Sequence, residues 1–311
     1  MEVARSGSSP TSPGRPGPRA HSRAVLDKAA HENFPVAPFF LPRAWRADLM
    51  AVYGYARLVD DIGDGDAAPD GTDAALLGLD PGRAADRLAV LDAFEADLRR
   101  VFTLGAHPRH PLLRALVPTV RRRGLTPEPF LGLIEANRRD QRVRRYADFA
   151  ELRGYCRLSA DPVGRLVLGI TGSTTPERVR RSDAICTALQ IVEHLQDVAE
   201  DLRRDRIYLP ADDMARFEVT EADLAAPTAG PRVRALIAFQ ARRAAALLDE
   251  GTPLVHSVRG RLRLLLAGFV AGGRAALDAI EAAGHDVLAG PPKPTKPGVL
   301  RQAGATLRRK G

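Results

Sequence analysis

The stretch Arg57-Leu58-Val59-Asp60-Asp61-Ile62-Gly63-Asp64 closes a run that begins near Leu49. Leu49, Val52, Ala56 and Val59 recur every three or four residues, which predicts a helix. On that helix Asp60 and Asp64 stand one turn apart on the same face. Two carboxylates so placed repel each other by roughly 0.2–0.5 kcal/mol on an exposed surface. Turned inward, the pair needs a cation. Carboxylate oxygens are the ligands that hard Mg²⁺ takes, and Mg²⁺ usually shares such a site with substrate phosphates. A solvated acidic helix end ahead of a glycine-rich loop accounts for this one cluster equally well.

A second cluster shifts the balance. Far downstream the chain reads Gln190-Ile191-Val192-Glu193-His194-Leu195-Gln196-Asp197-Val198-Ala199-Glu200-Asp201. Asp197 and Asp201 repeat the four-residue spacing, with Glu193 one turn earlier. Leu189, Val192, Leu195 and Val198 keep a helical period around them. Two acid-faced helices meeting across a cavity would hold metal ions and one diphosphate between them. That both clusters occur in an otherwise basic chain favours a site over a solvated surface.

The composition bounds the rest. The 311 residues suffice for a large core, and 45% hydrophobic with 27% charged residues is ordinary for a globular protein. The net charge is +8. Much of the excess arginine is clustered, as at Arg121 to Arg123, Arg138-Arg139, Arg144-Arg145 and Arg203-Arg204. Such excess suits nucleic acid, an anionic membrane surface or an anionic substrate. Aromatic residues at 5% and the lack of a recognition motif argue against nucleic acid. Cys156 and Cys186 belong to no ligand-spaced set and read as buried free thiols in a reducing compartment. Met1 to Ala20 lacks the apolar core of a secretory signal and reads as disordered. The longest apolar run, Leu264 to Gly273, is too short to span a bilayer. A cytoplasmic protein is the expectation.

Along the chain, Ser22 to His31 predicts a first helix, broken before Pro35. Pro42-Arg43 restarts the helix of the first acidic cluster. From Gly63 a Gly-, Asp- and Pro-rich loop runs to Pro81, as a lid or as plain surface. Helices follow over Arg83–Val101, Pro111–Arg122 (with a kink at Pro118), Asp148–Leu158 and Asp161–Ile170. Thr126-Pro127-Glu128 and Thr175-Pro176-Glu177 each read as an N-cap followed by proline in the first turn. The first opens a helix through Arg138, the second the helix of the downstream cluster. Pro231–Asp249 and Leu254–Ala283 complete the set. No strand pattern or internal repeat is evident. The expectation is a disordered segment at 1–21, one all-α domain at 22–289 and a disordered basic Pro/Lys-rich tail at 290–311. The faintly amphipathic end, Leu300 to Lys310, is either a solvated tail or a peripheral contact to the inner face of an anionic membrane.

At these two clusters the sequence resembles the squalene and phytoene synthase family, over roughly Ala24 to Ala283. Asn33-Phe34 through Leu41-Pro42, Tyr53 with Arg57, Asp60, Asp61 and Asp64, Asp140-Gln141, Tyr155-Cys156, and Gln190 through Tyr208 match its motifs in order. The resemblance implies an all-α, isoprenoid synthase-type helical bundle around a central cavity. It implies that Asp60, Asp64, Asp197 and Asp201, with Glu193, would bind Mg²⁺. Arg57, Arg206 and Tyr208 would contact or flank a diphosphate, and Tyr53 would lie near the reacting carbon chain. Asn33, Phe34, Gln190 and Gln196 would complete the substrate site.

Two departures mark a subgroup. Members that condense two prenyl diphosphates carry Asn-x-x-Arg-Asp where this chain has Glu193-His194-Leu195-Gln196-Asp197. Gln196, together with Asn33-Phe34-Pro35-Val36 and Ser159 to Arg165, resembles the bacterial hydroxysqualene synthases of hopanoid biosynthesis. That resemblance implies conversion of presqualene diphosphate and water to hydroxysqualene and diphosphate, with a presqualene diphosphate synthase as companion enzyme. The competing readings are head-to-head condensation to squalene or phytoene, and a non-catalytic partner subunit whose carboxylates are relics.

Overall fold

The computed structural model describes residues 18–30, 36–66 and 71–308. The first helix, α1, spans Pro18–Asp27 and is followed by α2 (Arg43–Asp64), α3 (Thr72–Leu77), α4 (Arg87–Phe102) and α5 (Pro111–Arg123). The middle of the chain forms α6 (Glu128–Asp140), α7 (Phe149–Ser159), α8 (Asp161–Ile170), α9 (Pro176–Gln196), α10 (Val198–Arg203), α11 (Ala211–Arg216) and α12 (Glu221–Leu224). Then come α13 (Pro231–Gly251), α14 (Pro253–Ser257), α15 (Gly260–Ala282) and α16 (Lys296–Arg308). No strand forms among the described residues; Arg145 and Ile207 share one isolated bridge. The all-α expectation holds. None of the described helices is long and apolar enough to cross a membrane.

The helices form because their apolar residues repeat at helical spacing, and they stop where caps or prolines dictate. Asp148 and Thr175 each accept a hydrogen bond from the third helical amide of α7 and α9. Thr126 does not cap α6, which starts from Pro127. α5 runs on through Pro118, whose missing N–H leaves one helical hydrogen bond unmade. Leu254 to Ala283 is not one helix: Val258 and Arg259 are extended and divide α14 from α15.

Around the core, α2 packs against α4, α5 and α6, while α9 packs against α8, α13 and α15. α8 touches both groups and so links the two acid-bearing helices. The main apolar cluster runs continuously through Leu58, Phe94, Phe130, Leu168, Ile191, Leu236 and Val270. Asp48 pins α2 to α5. It is fully buried, and Thr119, Arg122 and Arg123 donate to its carboxylate. Burial opposes the charge, but these donors outweigh it and hold the Asp48 carboxyl below its ordinary value.

Several expectations need correction. The first helix begins at Pro18, inside the segment expected to be disordered; residues 1–17 lie outside the described residues, as does the break at 31–35. The loop after Asp64 contains α3, and Asp73 on α3 meets the buried His110 at 3.2 Å. That half of the expected lid is therefore pinned to the body, and residues 67–70 lie outside the described residues. The tail beyond Gly290 is ordered as far as Arg308. α16 folds back along α15, where Arg274 donates to the buried Thr306 hydroxyl and Arg263 to the Leu307 carbonyl. Thr306 and Leu307 face α15 through these bonds, while Leu300 stays 73% exposed. Cys156 is buried as expected, but Cys186 is only half-buried against Gly164.

Asp161 opens α8, is 3% exposed and accepts a hydrogen bond from Thr187 at 2.9 Å. Burial, reinforced by the nearby Asp183 charge, raises its carboxyl to about 7. A carboxyl raised on folding stabilises the protein below its unfolded value near 4, and that contribution is lost as pH rises through 7. Asp161→Asn keeps the Thr187 contact without the charge. It should raise Tm by about 2–4 °C at pH 8 and change it little at pH 4.5; thermal denaturation at the two pH values checks this.

Candidate active site

Tyr53, Arg57, Asp60 and Asp64 lie at spacings of four, three and four on α2, so the helix places them along one side. The adjacent aspartates divide. Asp61 is buried and held by Lys28 at 2.7 Å and Arg57 at 2.9 Å. Its charge is matched, and it fastens the segment after α1 to α2. Asp60, by contrast, is exposed to solvent although dense protein surrounds it. Desolvation raises its carboxyl to about 7; Asn137 opposes this with a 3.1 Å hydrogen bond, while Asp64 and Glu193 add repulsion. Glu193 lies on α9, near enough for its charge to act on Asp60.

The downstream cluster is not a single helical face. The helix breaks at Asp197, which leaves helical geometry between α9 and α10. The Asp197 amide closes α9 on the Glu193 carbonyl, and the Asp201 amide opens α10 on the Asp197 carbonyl. Asp197 is half-buried, and its carboxyl is raised by desolvation and then by the charges of Asp201 and Glu200. Beyond α10 the chain turns back across the mouth. Arg206 donates to Asp64 at 3.2 Å and Arg204 approaches the same carboxylate at 3.7 Å. These arginines tie the end of the second cluster to the first.

A buried scaffold supports this arrangement. Asp140 accepts hydrogen bonds from Tyr155 at 2.7 Å and Tyr208 at 3.0 Å. Burial nonetheless keeps its carboxyl above the ordinary value. The Tyr208 ring stacks on His194, with centroids 3.7 Å apart and planes within 8°. His194 Nδ1 lies 3.8 Å from Asp201, and Gln190 sits 3.3 Å from its Nε2. Gln141 donates to the Gly63 carbonyl at 2.9 Å and so secures the end of α2.

The structure thus brings together Arg57, Asp60, Asp64, Gln190, Glu193, Asp197, Asp201 and Arg206, with Tyr53 half-buried on the same helix. Two residues expected at the substrate already hold protein partners. Gln196 donates its amide to the Pro292 carbonyl, tying α9 to the chain between α15 and α16. The hydroxyl of Tyr208 donates to Asp140, and the residue lines a small pocket with His194, Asp201 and Arg206, beside the acidic cluster. Asn33 and Phe34 lie outside the described residues. Asn137 and Arg204 escaped the sequence reading. The pattern Asn137-x-x-Asp140-Gln141 sets three polar residues on one side of α6, which is the signal that would have found Asn137.

Among the described residues no three His, Cys, Asp or Glu side chains converge as a ready-made metal cage. The carboxylates are paired at the two rims and repel across the gap. Oxygen donors of this kind fit a hard divalent cation whose shell is completed by water and phosphate oxygens. Gly63 makes the approach of α2 to α6 close enough for Asn137 to reach Asp60. A Cβ at that position would lie 1.8 Å from Asn137 Oδ1. Gly63→Ala should therefore cost about 1–3 kcal/mol in urea unfolding and release Asp60 from its hydrogen bond.

Comparison with known proteins places this geometry. The sequence profile of squalene/phytoene synthase matches residues 28–298. A hydroxysqualene synthase of Zymomonas mobilis is 37% identical over 239 residues, covering 75% of this chain and 74% of the relative. A phytoene synthase of Arthrospira platensis is 33% identical, covering 72% of each chain. The crystal structure of a squalene synthase from Alicyclobacillus acidocaldarius is 44% identical and superposes with a TM-score of 0.73, covering 86% of this chain and 95% of that one. A chain matched by that profile over residues 28–298, with a relative at 37% identity over three quarters of its length, belongs to the squalene/phytoene synthase family of enzymes.

Proposed function

We propose that this protein converts presqualene diphosphate and water to hydroxysqualene and diphosphate, with Mg²⁺ as cofactor. The observation that carries the reading is the pairing of two facing acidic clusters with few free cations. Asp60 and Asp64 on one wall and Glu193, Asp197 and Asp201 on the other provide oxygen donors for metal ions. Arg206 and Arg204 stand at the rim beside Asp64. Gln196, at the place where condensing relatives carry arginine, is tied to the Pro292 carbonyl. That leaves cationic support suited to one diphosphate.

Bound Mg²⁺ would supply the positive charge that the departing diphosphate needs. The arginines Arg57 and Arg206 would add charge-assisted hydrogen bonds to its oxygens. The carbon–oxygen bond breaks with its electron pair going to diphosphate. The apolar walls of the bundle keep stray water from the cation. After rearrangement one water forms the new carbon–oxygen bond and gives up a proton. The hydroxysqualene synthases among the similar proteins, including one of Rhodopseudomonas palustris at 34% identity, support this reading. The Arthrospira platensis relative favours a second one, the head-to-head condensation of two prenyl diphosphates.

The purified protein with Mg²⁺ and no NADPH should release hydroxysqualene from presqualene diphosphate and leave farnesyl diphosphate untouched, as read by mass spectrometry. Consumption of farnesyl diphosphate would establish the second reading instead. Asp60→Asn and Asp197→Asn should each lower kcat by about 100-fold or more, and EDTA should abolish turnover until Mg²⁺ is restored. Substrate-independent Mg²⁺ behaviour in both variants and parent would instead mark the carboxylates as relics.

A further inference from the structure

At the pole opposite the acidic clusters lies a second cavity of about 250 Å³. It is lined by Trp45, Ser173, Arg178, Ser257, Val258, Arg259 and Leu262. Trp45 precedes Asp60 by fifteen residues on α2, and Arg178 precedes Glu193 by the same number on α9. At 1.5 Å per residue each separation is about 22 Å. The cavity is therefore distinct from the site described above.

Its lining combines charge and apolar surface without any acid. Arg178 donates to the Ser173 and Ser257 carbonyls and to the Ser257 hydroxyl, which uses three of its five N–H groups. Arg259 is exposed and makes no hydrogen bond or ion pair among the described residues. Trp45, Arg178 and Leu262 all lie in the first turns of long helices, α2, α9 and α15. The positive ends of three helix dipoles thus add to the two guanidinium groups. Trp45, Val258 and Leu262 supply an apolar wall beside them. Exposed apolar side chains stand on the same helix starts: Phe39, 88% exposed, on the turn ahead of α2, and Leu264, 48% exposed, on α15.

We propose that this cavity binds an anionic amphiphile, with a phosphate-type headgroup on Arg259 and Arg178 and its apolar chain along Trp45, Val258 and Leu262. The ligand class follows from adjacency. Two guanidinium groups with no acid in the cavity lining call for an oxyanion, and the apolar side chains of Trp45, Val258 and Leu262 beside them call for a chain. Both a bilayer phospholipid and a dispersed phosphate-bearing lipid offer that chemistry.

Trp45 is the single tryptophan of the chain, so its emission reports on the cavity directly. The full-length protein would be titrated with phosphatidylglycerol-containing vesicles, with dihexanoyl-phosphatidylglycerol below its micelle concentration, with phosphatidylcholine vesicles and with inorganic phosphate. A saturable change in Trp45 emission with either phosphatidylglycerol form, weakened about tenfold in Arg259→Glu, is the expected result. The anionic vesicles alone would identify a bilayer as the source, and the short-chain lipid a dispersed one. Arg259 is exposed and braces nothing, so Arg259→Glu keeps the fold; unchanged circular dichroism and Tm verify this. An equal response to phosphatidylcholine or to inorganic phosphate would overturn the proposal. So would no response to any of the four, or an unaltered response in Arg259→Glu.

Discussion

Carboxylate repulsion across one cavity is the constraint on which the rest of this structure depends. Asp60 is desolvated and feels Asp64 along its own helix and Glu193 from the facing one. Asp197 is crowded in the same way by Asp201 and Glu200. A fold that holds these groups apart from their counter-charges must be stiff, because relaxation would let them separate or reach solvent. Much of the bundle around them serves that stiffness. Asn137 holds Asp60, Gln141 holds the end of α2, and Arg206 reaches back across the gap to Asp64.

The other carboxylates of the chain show what a structural role looks like. Asp48 has three donors and sits below its ordinary pKa. Asp61 has Lys28 and Arg57. Asp140, though raised by burial, has two tyrosine hydroxyls. Each of these fastens one element to another: α2 to α5, the segment after α1 to α2, and α6 to both α7 and the strand-like turn at Tyr208. Asp60 has a single amide donor, and the nearby Arg57 charge is set against those of Asp64 and Glu193. The contrast separates a binding group from a fastening group more clearly than burial does, since Asp60 is reached by water while Asp61, one residue on, is buried.

The helix dipoles give the molecule an axis. α2 and α9 run with their acidic clusters toward their C-terminal ends, where the dipole already carries negative charge. Acids there are less comfortable than they would be at the N-terminal ends, which adds to the demand for a cation. The opposite pole, where α2, α9 and α15 begin, has arginines and helix amides and is positive by the same logic.

The helical class, the pairing of the two acidic clusters and the family were all legible in the chain itself. Helical period and caps are local, and motif spacing is written in the order of residues. The spacing at Asp60 and Asp64 could be read directly because α2 is a regular helix through both. What the tertiary structure decided was where side chains end up when partners lie far away in sequence. Gln196 looked like a substrate contact by its position in the motif, yet Pro292, 96 residues away, takes its amide. Tyr208 read as a residue that contacts or flanks the diphosphate, and packing alone assigns its hydroxyl to Asp140. The basic tail lacked a strong helical signal, yet α15 offers it a surface and it folds as α16. Local pattern determines which residues can share a face; only long-range packing determines which of those faces, and which of their polar atoms, remain for a ligand.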